Sequence, residues 1–124
     1  MADGKKILIV EDDEFLRSLA AKRLAKDGFK VKDAVDGDAG LKAIESEKFD
    51  LILLDLLLPG TDGFTVLEKG REMPNGKTVP IIVFSNLGEK KDIERAKKLG
   101  ANDFLVKANF TLDDIVSKIH ATLG

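Results

Sequence analysis

A chain of 124 residues with a formal net charge of −2 is one domain of ordinary size, long enough to bury a real core. Its charges of both signs are interspersed and no basic block exceeds a pair such as Lys90-Lys91 or Lys97-Lys98, which leaves no cationic footprint for nucleic acid or an anionic membrane. With no cysteine, a disulfide framework, a thiolate nucleophile and a cysteine zinc cluster are excluded.

The first six residues lead into an apolar run of only Ile7 to Val10, too short for a signal peptide or a membrane span, so a cytoplasmic protein is expected. That run reads as a buried strand, and it stops at four consecutive acids, Glu11 to Glu14. The spacing then turns helical, with Leu16, Leu19, Ala20 and Leu24 on one stripe and Asp27-Gly28 as the stop. Phe29 to Ala34 alternates and predicts a more exposed strand at a sheet edge. Asp36-Gly37 opens a helix carrying Leu41, Ala43 and Ile44, in which Gly40 costs about 1 kcal/mol relative to alanine.

Phe49 to Asp55 contains the most continuous apolar run, closed by Pro59, Gly60, Asp62 and Gly63. A strand apolar at every position is buried on both faces, which predicts a parallel sheet covered by helices. Gly63 to Arg71 reads as a short helix, Met73 to Thr78 as a loop built on Pro74 and Asn75-Gly76, and Ile81 to Phe84 as another buried strand ending at Ser85-Asn86. A helix with Ile93, Ala96 and Leu99 inward and Gly100 as its cap follows, and then a short strand, Phe104 to Val106, which delivers Lys107. Thr111 and Asp114 have capping-box spacing and open a last helix with Leu112, Ile115, Ile119 and Leu123 on one face. Strand and helix thus alternate five times without a repeat, which predicts a doubly wound α/β fold with strand order 2-1-3-4-5.

In such a sheet all strand carboxyl ends share one edge, so Glu11, Asp12, Asp55, Ser85 and Lys107 converge. Singly each is weak: acids after a strand often cap the next helix, a serine is often a turn residue and a lysine is usually solvated. Together, three carboxylates within a few ångströms repel one another unless a cation sits among them. An oxygen-only set without histidine or cysteine favours Mg²⁺ over zinc. A metal with open positions, a lysine and a hydroxyl form a cradle for a phosphoryl group.

These motifs, Glu11-Asp12-Asp13 after Ile9-Val10, Asp55 followed by Pro59-Gly60, Ser85 after Phe84, and Lys107 after Phe104-Leu105-Val106, resemble in order and spacing the receiver domain of bacterial two-component response regulators. The resemblance runs from Lys5 into the last helix and implies a flavodoxin-like five-stranded parallel sheet with five helices, one receiver domain over residues 1–124. It implies that Asp55 accepts a phosphoryl group from a sensor histidine kinase or a histidine phosphotransfer protein. Asp12, Asp55 and the Leu57 carbonyl would bind Mg²⁺, Glu11 would act through a water, and Lys107 would pair with the phosphoryl oxygens. Ser85 would hydrogen-bond the phosphoryl group while Phe104 turns inward, changing a surface of the fourth helix, fifth strand and fifth helix for a downstream protein target. Leu57 and Leu87 hold positions that tune the phosphoryl lifetime, and bulky apolar side chains there are expected to lengthen it. Two positions depart from the usual family pattern: Ala108 stands where proline commonly follows the lysine, leaving the peptide bond open between cis and trans, and Asn86 stands where a small residue is usual.

Phe15 lies beside the helical stripe and, with Leu16, is a candidate docking position for the kinase. Gly76-Lys77-Thr78 imitates the end of a phosphate-binding loop, but the glycine required five residues earlier is Arg71. His120 is expected to be a surface residue rather than a phosphorelay histidine. The rival functions are a pseudo-receiver that binds without being phosphorylated and a haloacid-dehalogenase-type phosphatase. The latter needs a second aspartate where this chain has Leu57. The opening methionine favours a natural start, and the sequence leaves open a single-domain regulator or a piece of a longer one.

Overall fold

The computed structural model describes residues 4–124. Five parallel strands, β1 (Lys6–Val10), β2 (Lys30–Ala34), β3 (Leu51–Leu54), β4 (Ile81–Ser85) and β5 (Asp103–Val106), lie in the order β2-β1-β3-β4-β5. The helices α1 (Glu14–Lys26), α2 (Gly37–Ser46), α3 (Gly63–Glu72), α4 (Lys90–Lys98) and α5 (Leu112–Leu123) alternate with them. This is the flavodoxin-like arrangement expected from the sequence.

The three central strands are buried at nearly every residue because both sheet faces are covered. Leu8, Val10, Ile52, Leu54 and Val83 face a core shared with Ala43 and Ile44 of α2, Phe64 and Leu67 of α3 and Ala96 of α4. Ile7, Ile9, Leu51, Leu53, Ile82 and Phe84 face the opposite way, onto Ala20 and Leu24 of α1 and Ile115, Val116 and Ile119 of α5. Each such aliphatic side chain contributes about 1.5–3 kcal/mol on full burial. β2 is the edge strand expected, with only Ala34 fully buried along it.

Caps fix where the helices begin. Asp13, Asp36 and Asp62 accept hydrogen bonds from backbone N–H groups in the first turns of α1, α2 and α3, and Thr111 and Asp114 form the reciprocal capping box of α5. Gly63 is required by crowding, since a Cβ there would lie 2.4 Å from both the Asp55 carbonyl oxygen and the Leu56 Cα. The helix therefore starts directly against the end of β3.

Three details differ from the sequence reading or add to it. Leu19 is 44% exposed, because the inward arc of α1 is narrow and is filled by Ala20 and Leu24 with Leu16 partly buried. The Met73–Thr78 loop contains a short 3-10 helix, Pro74–Gly76. It is held by Arg71, whose half-buried guanidinium donates to the carbonyls of Gly76, Val79 and Gly100 and to the Asn102 side chain. The Gly76 of the imitation phosphate loop thus has its carbonyl engaged by Arg71. His120 is at the surface as expected, with its side chain 43% exposed, but it is partnered: its Nε2 lies 2.8 Å from Asp27 Oδ2, and its ring tilts against Phe29 with centroids 5.1 Å apart.

Candidate functional site

The parallel register sets the site. Val10 is level with Leu54, Leu54 with Val83, and Ser85 with Val106, so the next residues of β1, β3 and β5, namely Glu11, Asp55 and Lys107, emerge on one edge. The Lys107 ammonium bridges the two acids, 2.6 Å from Glu11 Oε1 and 2.9 Å from Asp55 Oδ2. It reaches them along the ring of Phe84, 5.8 Å from its centroid. All three side chains are largely removed from water: Lys107 is 14% exposed, Glu11 6% and Asp55 4%.

Asp12 is exposed, yet a carboxylate oxygen from each of Glu11, Asp12 and Asp55 lies within 4.8 Å of the others. The Leu57 N–H donates to Asp55 Oδ1 at 3.1 Å, while the Leu57 side chain is 47% exposed at the mouth. Ser85 is fully buried, and its hydroxyl oxygen accepts a long 3.4 Å bond from the Leu87 N–H. Phe104 is half-buried and packs on the α3–α4 side of the core. Phe15 is 77% exposed at the start of α1, whereas Leu16 is partly buried. Asn86 is exposed beside the site, and the Lys107–Ala108 peptide is trans, as are all the described peptide bonds. A cis bond ahead of alanine would cost about 2.5–4 kcal/mol.

Charge does not balance in this edge. Burial pushes the Glu11 carboxyl up to about 7; the bond from Lys107 opposes that rise and the Asp55 charge adds to it. Burial also works against the Lys107 ammonium, but its hydrogen bonds to Glu11 and Asp55 outweigh it and hold the group above its ordinary value. Three clustered carboxylates facing one ammonium leave a surplus of negative charge, made up only of oxygen donors. That donor set fits a hard divalent cation such as Mg²⁺.

The sequence reading missed Arg17. Its guanidinium donates to the carbonyl oxygens of Glu11 at 3.0 Å and Asp12 at 3.5 Å, and pairs with Asp33 of β2 at 3.3 Å. A cation in the first turn of a helix opposes the dipole there, which is the one local hint that this arginine has a tertiary reason.

Fold and acid cluster together define a doubly wound α/β domain with three acids and a lysine gathered at the carboxyl edge of the sheet. The family model for the response regulator receiver domain matches residues 7–120, and the chain belongs to that family. The transcriptional regulatory protein CseB of Streptomyces coelicolor is 35% identical over 99% of this chain and 51% of its own length. The chain spans about half the length of the curated relatives it matches. Among solved structures, a CheY-like receiver domain protein from Methanospirillum hungatei has a TM-score of 0.89 at 29% identity, covering 97% of this chain and 94% of the other. The receiver domain of a sensor histidine kinase from Pseudomonas aeruginosa, with magnesium coordinated in its active-site cleft, has a TM-score of 0.86 at 30% identity, covering 98% of both chains.

The Glu11 shift has a consequence for stability. A carboxyl raised from 4.5 to about 7 in the folded protein binds its proton more tightly folded than unfolded, so its contribution is fully present below pH 4.5 and is lost as pH rises through 7. In EDTA, the melting temperature of the wild type is expected to fall between pH 5 and pH 8 more steeply than that of Glu11→Gln. Parallel pH profiles for the two proteins would contradict the assignment.

Proposed function

We propose that the domain is a phosphorylation-operated switch in which Asp55 takes a phosphoryl group from a phosphohistidine. The observation that carries this reading is the Lys107 bridge from Glu11 to Asp55 inside the three-acid cluster. An ionised Asp55 oxygen attacks phosphorus, the new P–O bond forms as the P–N bond to the donor imidazole breaks, and the departing nitrogen takes up a proton. Lys107 holds Asp55 before transfer and is close enough to follow the transferred oxygens afterwards. Asp12, Asp55 and the Leu57 carbonyl would hold Mg²⁺, with Glu11 acting through a water, and the ion would supply positive charge to the same oxygens. The Ser85 hydroxyl oxygen only accepts a long bond from the Leu87 N–H, so its O–H remains to donate to a phosphoryl oxygen.

Output follows from the same geometry. Phe104 lies on β5 between the site and the surface formed by α4, β5 and α5, and its inward turn behind a displaced Ser85 would change that surface for a protein target. The alternation of charge along the chain supports protein rather than nucleic acid as the direct contact of this domain. No described helix is long and apolar enough to cross a membrane. Phe15 supplies an exposed apolar contact beside the acid edge for the kinase or phosphotransfer partner. Residues 1–124 are read as this one receiver domain.

Incubation with Mg²⁺ and acetyl phosphate is expected to add one phosphoryl group by intact mass, an addition abolished in Asp55→Asn; no gain in the wild type would move the function to a pseudo-receiver. Leu57→Asn is expected to lose the phosphoryl group faster, because an amide at the mouth admits and orients water where leucine excludes it, and slower loss from the variant would refute this role. Phe15→Ala is expected to slow transfer from a phosphohistidine protein while leaving the acetyl phosphate reaction unchanged. Equal slowing with both donors would place Phe15 in the chemistry instead of in docking.

A further inference from the structure

Asp12 is the exposed member of the acid cluster, and among the described residues no hydrogen bond orients its carboxylate. Its direction is therefore set by the backbone on either side. The peptide planes flanking its Cα are those of the Glu11 and Asp12 carbonyls, and because each peptide is planar, fixing both planes fixes the two soft dihedrals of Asp12 and the direction of its Cβ. Arg17 binds both of those carbonyl oxygens, at 3.0 and 3.5 Å, through a single guanidinium nitrogen.

The arginine is itself held. Its side chain is 13% exposed, and its Nε pairs with Asp33 Oδ2 on the neighbouring strand. Other backbone groups of the loop are engaged as well: the Glu11 N–H donates to the Ala34 carbonyl, the Asp13 N–H to Glu11 Oε2, and the Arg17 N–H to the Asp13 carbonyl. The side chain rises from the first turn of α1 back toward the helix N-terminus, the direction in which helical side chains tilt. A lysine at this position would carry the same charge but not the planar fork that serves Asp33 and the two carbonyls together.

We propose that Arg17 is a positioning residue for the cation site, aiming the Asp12 carboxylate at Glu11 and Asp55 by fixing the peptide planes on both sides of it, with Asp33 holding the guanidinium in place. The proposal rests on the reading of Glu11, Asp12 and Asp55 as a Mg²⁺ site and adds a residue outside that set. Groups one layer out from metal ligands commonly govern affinity as strongly as 10–100-fold.

The test compares wild type, Arg17→Met, Arg17→Lys and Asp33→Asn by two readouts: amide shifts and hydrogen exchange of residues 11–13 in the metal-free protein, and Mg²⁺ affinity by titration calorimetry. Arg17→Met is expected to speed exchange and move the amide signals of Glu11, Asp12 and Asp13 without metal, and to weaken Mg²⁺ binding by about 10-fold or more. Arg17→Lys is expected to behave like the methionine variant, and Asp33→Asn to shift both readouts the same way by less. Unchanged loop signals with unchanged Mg²⁺ affinity in Arg17→Met would overturn the proposal, as would full rescue by lysine, which would make charge alone sufficient. Should Arg17→Met not fold, Arg17→Lys and Asp33→Asn decide the matter alone. A wild-type protein that binds no Mg²⁺ would defeat the cation reading, and the metal-free loop signals would then judge the positioning role by themselves.

Discussion

The Lys107 ammonium held between Glu11 and Asp55 is the interaction on which this edge of the molecule depends. It lies between two carboxylates at the ends of adjacent buried strands, opposing the rise that burial imposes on Glu11, and it ties β5 to β1 and β3 at this end. Removing one partner of a buried pair leaves an uncompensated charge, which is costlier than never having built the pair. The arrangement nevertheless stops short of neutrality, since Asp12 adds a third carboxylate within the same few ångströms. A site that folds with surplus negative charge suits a cation, and on the proposed reading that cation would offset the further negative charge of a phosphoryl group.

Rigidity and mobility are divided across the sheet. The central strands are apolar on both faces and supply a fixed platform, so the acids at their ends are set by backbone register. α4 is anchored more lightly, with Ala96 its one fully buried residue, Ile93 and Leu99 partly covered and Arg95 stacked over the Phe64 ring at 4.1 Å. It follows Ser85 after a short loop and lies beside β5, forming part of the proposed output surface next to the proposed chemistry. A helix with little buried area can change position at small cost, which suits a two-state switch biased by a hydroxyl and one aromatic side chain.

Two arginines show how charged residues serve this fold. Arg71 binds three backbone carbonyls and a side-chain amide at the amino end of the sheet, joining the end of α3 to the turns that precede β4 and β5. Arg17 does comparable work at the carboxyl end, on the carbonyls of the acidic loop. In both, the guanidinium satisfies irregular backbone that no strand or helix could pair, and desolvation holds the Arg71 group below its ordinary range.

The sequence by itself determined the order of the five strands and five α-helices, the edge position of β2, the capping box at Thr111 and Asp114, and the convergence of Glu11, Asp12, Asp55, Ser85 and Lys107 at the carboxyl edge. Those features are local or follow from chain connectivity: apolar runs, cap residues and right-handed crossovers act over a few residues or constrain topology as a whole. Tertiary structure alone decided that Lys107 touches Glu11 as well as Asp55, that Leu19 faces solvent while Leu16 is partly covered, that His120 meets Asp27, and that Arg17 and Arg71 are backbone clamps instead of solvated charges. Several of these depend on side-chain reach between segments far apart in the chain, as in the 96-residue separation of Lys107 from Glu11, and even where the arginines bind carbonyls only a few residues away, residue type alone does not encode which backbone group a flexible charged side chain will find.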